Sequence, residues 1–180
     1  MRFIGTLALA GAFLSACNPQ PQKHPAAAPS ATPPGIPPLK ITGHGTARSP
    51  VRTVEQTGNR KLYELLARSF VSHSAHNVAQ ATFQAATVTF YDKDGTSLTA
   101  QAPQAAVDER TKKVVLSGGV RAHTSTGATL TCDRLTFDRS TGLLNGDGNV
   151  RMTAQQNGSR EVLTGNTFTS DINLTRMVMK

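Results

Sequence analysis

Apolar and polar residues alternate through most of the chain after Pro50, where β-branched residues and threonine become frequent. Alternation with a period of two is typical of strands that bury one face and expose the other. Turn-forming pairs interrupt the pattern at short intervals, and they are Asp94-Gly95, Thr141-Gly142, Asp147-Gly148 and Asn157-Gly158. The pattern therefore predicts an antiparallel, all-β structure.

One segment carries a different period. Residues 61–70 read KLYELLARSF, in which the leucines and Phe70 stand at helical spacing among good helix formers. Taken alone, the segment favours a helix. The repeat described next places it in a strand, and a strand is our prediction.

The chain repeats itself with a period of about 30 residues. Residues 99–122 align without a gap on residues 129–152, so that GGVRAHT at residue 118 falls on GNVRMTA at residue 148. Part of a third copy follows over residues 164–171, and a fainter copy begins near Tyr63. This period is typical of stacked units that jointly enclose a continuous apolar interior.

Several residues recur at equivalent positions of the repeat. Gly118 and Gly148 suit a bulge or turn before the next strand. Asp108 and Asp138 precede Thr- or Ser-containing hairpin turns and are predicted turn formers. Cys132 stands where the other copies have Ala or Gly, so we expect a small, buried, apolar residue.

The first residues have the form of an export signal. Arg2 precedes a short apolar run over residues 3–13, and the sequence LSAC, ending at Cys17, follows. The run is too short to span a bilayer and ends in small residues. LSAC resembles a bacterial lipobox, which implies cleavage after residue 16 and lipid attachment to Cys17. The alternative is an ordinary secretory signal with an incidental cysteine.

A proline-rich stretch follows the signal. Residues 17–50 hold nine of the ten prolines, with Ala and Ser between them, and lack apolar periodicity. This composition predicts a disordered or polyproline-like tether. The predicted organisation is thus a signal peptide (1–16), a lipid-anchored tether (17–50) and one β-domain (51–180).

Composition and charge narrow the function classes. Aromatic residues make up 5% of the chain and Trp is absent, so the core should consist of small and branched residues. The net charge of +8 suits nucleic acid, an anionic membrane or an acidic ligand. The basic residues are scattered and no nucleic-acid motif is present, so no nucleic-acid partner is expected.

Chemical motifs are weak throughout the chain. His73 and His76, and the turn sequence DKDG at Asp92, lack the further ligands that a metal site needs. No nucleophile motif or phosphate loop stands in the sequence. We therefore expect no enzyme activity, no catalytic residue, no metal and no cofactor.

The ordered repeats resemble a known family. The stretches that carry the likeness are YELLA (63–67), TVTFYDKDG (87–95), VVLSGGVR (114–121), GATLTCDRLTFD (127–138), GLLNGDGNVRM (142–152) and LTGNTF (163–168). Together they are similar to lipopolysaccharide export proteins of the LptC, LptA and OstA N-terminal type. This resemblance covers the chain from about Gly58 onwards.

The resemblance implies an open antiparallel β-jelly roll, also called a β-taco, whose apolar cleft carries lipid acyl chains. An LptC-like member would sit in the periplasm, accept lipopolysaccharide from an inner-membrane ABC transporter and pass it to an LptA-like protein by edge-strand pairing. Such members are commonly held by one transmembrane helix, whereas this chain has a lipobox and tether. The resemblance implies an anchor in the inner membrane. Asn18 follows the cysteine where, in some bacteria, an Asp would signal retention there, so an anchor in the outer membrane is the alternative.

Strand alternation assigns one set of apolar residues to the inner face, and these are the candidates for the lipid cleft. They are Val88, Phe90, Leu98, Val107, Leu116, Val120, Leu130, Leu135, Phe137, Leu144, Val150 and Phe168. The alternative function is a structural or adhesive cell-envelope lipoprotein, in which the same residues fill a closed core.

Two further features concern the surface. The third repeat is incomplete, so the strands within about 162–178 are predicted to pair with a partner β-domain. Arg121 and Arg151 recur in register, where they either face phosphate groups or are solvated strand residues. We favour solvated residues.

Overall fold

The strands account for most of the described chain. The computed structural model describes residues 39–75, 78–156 and 159–180, which form eleven strands and no helix. The strands are Leu39–His44 (β1), Val51–Thr57 (β2), Arg60–Ala67 (β3), Ser69–Ala75 (β4), Val78–Tyr91 (β5), Ser97–Asp108 (β6), Lys113–Thr124 (β7), Thr129–Asp138 (β8), Leu143–Gln156 (β9), Ser159–Ser170 (β10) and Val178–Met179 (β11). The all-β prediction is confirmed, and so is the strand prediction for residues 61–70.

The β-domain begins earlier than predicted. Strand β1 lies inside the range 17–50 that the sequence assigned to a tether, and it pairs with β4 from Leu39 opposite Ser74 to His44 opposite Ser69. Nearly every residue of β1 is exposed. Leu39 and Ile41 alternate with Lys40 and Thr42, but two apolar residues directly after a proline-rich stretch are too short a pattern to predict a strand. The predicted signal peptide and Cys17 lie outside the described residues, and within those residues no helix is long and apolar enough to cross a membrane.

The strands form one antiparallel sheet, in which two strands, β3 and β4, share the same edge of β5. The order is β1-β4-β5-β6-β7-β8-β9-β10-β11, and β3 also pairs with β5 while β2 pairs with β3. Strand β5 is long enough to hold both neighbours, because β4 pairs with its residues 78–84 and β3 with its residues 87–90.

A row of bulges crosses the middle of the sheet, and we name it the fold line. Pairing shifts register between Gln101 and Gln104, between Ser117 and Val120, between Thr131 and Arg134, and between Gly165 and Thr167. The backbone has positive φ at Ala85, Gly118, Gly119, Gly148 and Asn149. The bulges predicted at Gly118 and Gly148 are confirmed. Because bulges bend strands, the aligned row folds the whole sheet.

The fold line divides the sheet into two halves. Half-sheet A contains β1, β4 and β11 with residues 78–84, 104–108, 113–117, 134–138, 143–147 and 167–170, and half-sheet B contains β2 and β3 with residues 86–91, 97–102, 120–124, 129–132, 150–156 and 159–165. The rings of Phe90 in half-sheet B and Phe137 in half-sheet A have centroids 4.6 Å apart. Their strands are three positions apart in the sheet, roughly 14 Å. The half-sheets therefore face each other, as expected for a β-taco.

Tight turns join the strands. The carboxylate of Asp108 accepts hydrogen bonds from the backbone N–H of Arg110 and Thr111, and that of Asp138 does the same for Ser140 and Thr141. Both predicted turn formers are thus confirmed. The predicted Asn157-Gly158 turn lies outside the described residues.

Cross-strand rows of apolar residues fill the space between the half-sheets. One row contains a residue from nearly every strand of half-sheet A: Gly43, Phe70, Phe83, Ala105, Leu116, Leu135, Gly146, Phe168 and Met179. Phe168 packs directly against Gly146, where a Cβ atom would overlap the ring. Glycines beside Phe70 and Phe168 leave room for these rings. Most of the core consists of small and branched residues, as expected.

Candidate functional site: the interior of the folded sheet

The predicted cleft residues all lie inside the folded sheet. None of the twelve is more than 7% exposed, and all belong to one apolar cluster. Their inward orientation follows from strand alternation, which the fold line preserves on both halves. Contact with lipid is not tested by this packing and stays a prediction.

Sequence reasoning missed the interior residues of β3, β4 and the first half of β5. Tyr63, Leu65 and Phe83 are buried, and Phe70 is partly buried against the same cluster. The helical spacing within residues 61–70 hid the alternation, because the chain breaks at Arg68 to pass from β3 to β4. The faint repeat copy near Tyr63 was the signal that could have found them.

Three of these missed residues, Tyr63, Phe70 and Phe83, line a cavity of about 330 Å³ between the half-sheets. Its apolar lining comes from Val51, Tyr63, Phe70, Ala79, Ala81, Phe83 and Val107. Arg52, Thr53, Ser72 and Glu109 also line it. The volume lies at the lower end of small-molecule sites. Since the walls are mainly apolar, the cavity suits a hydrocarbon group better than a polar one.

The interior becomes accessible at the β10 end. One inner row of half-sheet B contains Leu65, Val88, Ala100, Ala122, Leu130, Met152 and Leu163. Leu65 is fully buried at one end of the row, whereas Leu163 at the other end is 46% exposed. Apolar surface thus continues from a buried interior to a partly exposed residue of β10.

An ion cluster ties the two half-sheets together, and we name it the Arg139 cluster. The Nη1 of Arg139, in the β8–β9 turn, donates hydrogen bonds to Glu55 of β2 and to the Oε1 of Glu109 at 3.1 Å. Its Nη2 donates to the Oε2 of Glu109 at 3.1 Å and to the carbonyl of Asp108 at 3.2 Å. The side chain of Arg139 is only 3% exposed. The cluster therefore holds β2 of half-sheet B against the turns of half-sheet A.

Each charged group of the cluster stabilises the charged form of its partner. Burial alone would lower the pKa of Arg139, but hydrogen bonds to Glu109 and Glu55 outweigh it and raise that pKa. The same hydrogen bond from Arg139 holds the pKa of Glu109 below its usual value. Burial, followed by the charge of Glu55, raises the pKa of Tyr63 well above its ordinary range, so Tyr63 is a neutral phenol beside the cavity.

The remaining polar candidates lie apart from the interior. Cys132 is buried, so the prediction of a small, buried residue is confirmed, and burial raises its pKa to about 12. Arg121 and Arg151 are exposed on the outer face, both paired with Thr131, as predicted for solvated residues. Across the part of the chain that the structure describes, no three His, Cys, Asp or Glu side chains gather as metal ligands.

Comparison with known proteins identifies the family of this chain. The family model described as "Lipopolysaccharide-assembly, LptC-related" matches residues 37–178. The chain belongs to this LptC-related family. The match starts just before β1 and so includes the strand that the tether prediction had excluded. A search of curated proteins finds no match.

Family membership confirms the resemblance seen in the sequence. It implies a role in lipopolysaccharide transport, as part of an envelope-bridging system in the periplasm. It also implies lipopolysaccharide binding and contact with other Lpt proteins. The LptC family is a family of transport proteins and is not known for enzymes.

Proposed function

We propose that the folded sheet accepts lipopolysaccharide from an inner-membrane ABC transporter and carries the acyl chains through its apolar interior to an LptA-like partner. The observation that carries this proposal is the continuity of the interior. An apolar cavity of about 330 Å³ lies near β2 to β5, and apolar rows lead from it to an inner face that is exposed at β10.

The two ends of the sheet supply surfaces for strand pairing. At one end, β1 pairs only with β4 among the described residues, and its Leu39 and Ile41 side chains are largely exposed. At the other end, β11 pairs with β10 only at Phe168 and Thr169. Because unpaired strand edges template further strands, we assign β1 to the donor side and β10 to the LptA-like partner.

The anchor completes the proposal. Lipidation at Cys17 would hold the domain at a membrane surface, and residues up to 38 would connect it to β1. Several acyl chains on one cysteine give stable attachment, whereas a single chain gives only marginal binding. The inner membrane fits delivery from an inner-membrane transporter.

Photo-crosslinking tests the path of the acyl chain. A photoreactive phenylalanine analogue placed at Leu163 or Phe83, on the inner face, should crosslink to lipopolysaccharide when the chain is expressed with its transport partners. Val162 and Thr82, which neighbour these positions on the outer face, are matched controls that should stay unlabelled. Val162 is as exposed as Leu163, so exposure alone would label both.

The second candidate is a structural envelope lipoprotein. The near-complete burial of the twelve predicted residues favours it, because a filled core leaves little room for a guest at the centre. Crosslinks from the outer positions only, or from none, would support this candidate and reject lipid transport.

A further inference from the structure

Residues 171–180, which we name the covering segment, fill part of the interior at the β10 end. Ile172 and Leu174 are each 4% exposed and belong to the apolar core cluster. Met177 and Met179 pack against the same cluster. The segment therefore places several apolar side chains where the interior would otherwise be more open.

The covering segment also reaches the opposite half-sheet. Asn173 Nδ2 donates hydrogen bonds to Asp92 Oδ2 at 3.2 Å and to Asp94 Oδ2 at 3.3 Å, in the β5–β6 turn. Thr96 of the same turn bonds to Asn173 Oδ1. Asn173 follows β10 closely, whereas β6 is four strands from β10 in the sheet order. The segment thus bridges the opening between half-sheets A and B.

The same segment occupies part of the outer edge of β10. Its strand β11 pairs Met179 with Phe168 and Val178 with Thr169. The carbonyl of Lys180 accepts hydrogen bonds from the N–H groups of Asn166 and Thr167, at 2.8 and 3.0 Å. A partner strand that paired with β10 at these residues would need the same backbone groups.

The covering segment is attached weakly enough to be displaced. Strand β11 contains only two residues, and Val178 is largely exposed. Leu174 has φ of 58°, a left-handed conformation that is unfavourable for a residue with a branched side chain. Departure of the segment would relieve this strain, although it would expose Ile172 and Leu174.

We propose that the covering segment is a displaceable cover that couples partner docking to opening of the interior. A partner strand that pairs along the whole of β10 displaces β11 and Lys180. Because Ile172 and Leu174 belong to the same short segment, they leave the core with it. The interior then opens at the end where lipid must pass, a consequence that rests on the transport function proposed above.

A reversible disulfide tests this coupling in the full chain. Thr169 and Val178 are cross-strand partners with exposed side chains, so T169C/V178C can lock β11 onto β10. The pair T99C/H123C, on the central strands β6 and β7, is the matched control. We expect oxidised T169C/V178C to bind the LptA-like protein of the same bacterium at least about tenfold more weakly than its reduced form, because the competent state is depopulated. The control pair should bind equally in both redox states.

A variant that weakens attachment of the covering segment should change partner affinity in the opposite direction. N173A/L174A removes the bridge to the β5–β6 turn and most of one buried side chain, and it keeps the left-handed strain at residue 174. We expect tighter partner binding, and hydrogen exchange should show faster exchange of amides 172–176 without change in β7 and β8. The displaceable-cover proposal would be wrong if neither the disulfide nor this variant changed partner affinity, or if no form of the protein bound the partner. Failure of fluorescently labelled lipopolysaccharide to bind any variant, with redox-dependent partner binding intact, would reject lipid transport alone.

Discussion

The side chain of Arg139 is charged and almost completely buried. Its guanidinium joins Glu55 and Glu109, which belong to widely separated parts of the chain, and its Nε has no hydrogen-bond partner. The sequence predicted Asp138 beside it as a turn former but could not predict the cluster. The reason is that ion pairs across a folded sheet depend on which turns meet, and strand alternation does not contain that information.

The Arg139 cluster should contribute measurable stability. We expect Arg139→Met to lower the free energy of unfolding by about 2 kcal/mol, because two carboxylates lose a charged donor while remaining partly shielded from water. Urea unfolding followed by circular dichroism measures this change. Arg134→Met, on the exposed outer face of the same strand region, is the control and should stay within about 0.5 kcal/mol of the wild type. Equal losses in the two variants would contradict a structural role for the cluster.

At the scale of the strands, different residues occupy the fold line on each strand. Strand β7 uses the two glycines Gly118 and Gly119, β9 uses Gly148 with Asn149, β6 places Pro103 there and β5 uses Ala85. The repeat alignment predicted the glycine positions because glycine is the usual residue for positive φ. It could not predict the positive φ of Ala85, since alanine is not a residue that signals this conformation.

Ala85 provides a prediction with a defined sign. Its φ of 51° costs an L-residue roughly 1–2 kcal/mol, whereas glycine in a strand costs about 0.5–1 kcal/mol in chain entropy. Ala85→Gly should therefore stabilise the domain by about 0.5–1 kcal/mol. Ala106→Gly, an exposed alanine in the paired part of the neighbouring β6, should destabilise it by a similar amount. Thermal and urea unfolding of both variants give the comparison, and the same sign for both would refute strain at the fold line.

For the whole molecule, the sequence predicted the centre better than the edges. The central strands β6 to β9 are two copies of one repeat, so their inner faces followed from alternation alone. The edge strand β1 is exposed on both faces and resembled a tether, and the cavity near β2 to β5 depended on the break at Arg68. Edges and breaks are set by tertiary pairing, which a local pattern does not encode.

The edge formed by β10 should decide partner binding. Deleting residues 167–180 removes the last third of β10 together with the covering segment, so we expect loss of binding to the LptA-like protein in a pull-down. Deleting residues 178–180 alone removes β11 and leaves all of β10 in place, so binding should persist or increase. Circular dichroism of both truncated proteins checks that the sheet still forms. If the longer deletion binds as well as the wild type, residues 167–170 of β10 are not the docking edge, and the prediction is wrong.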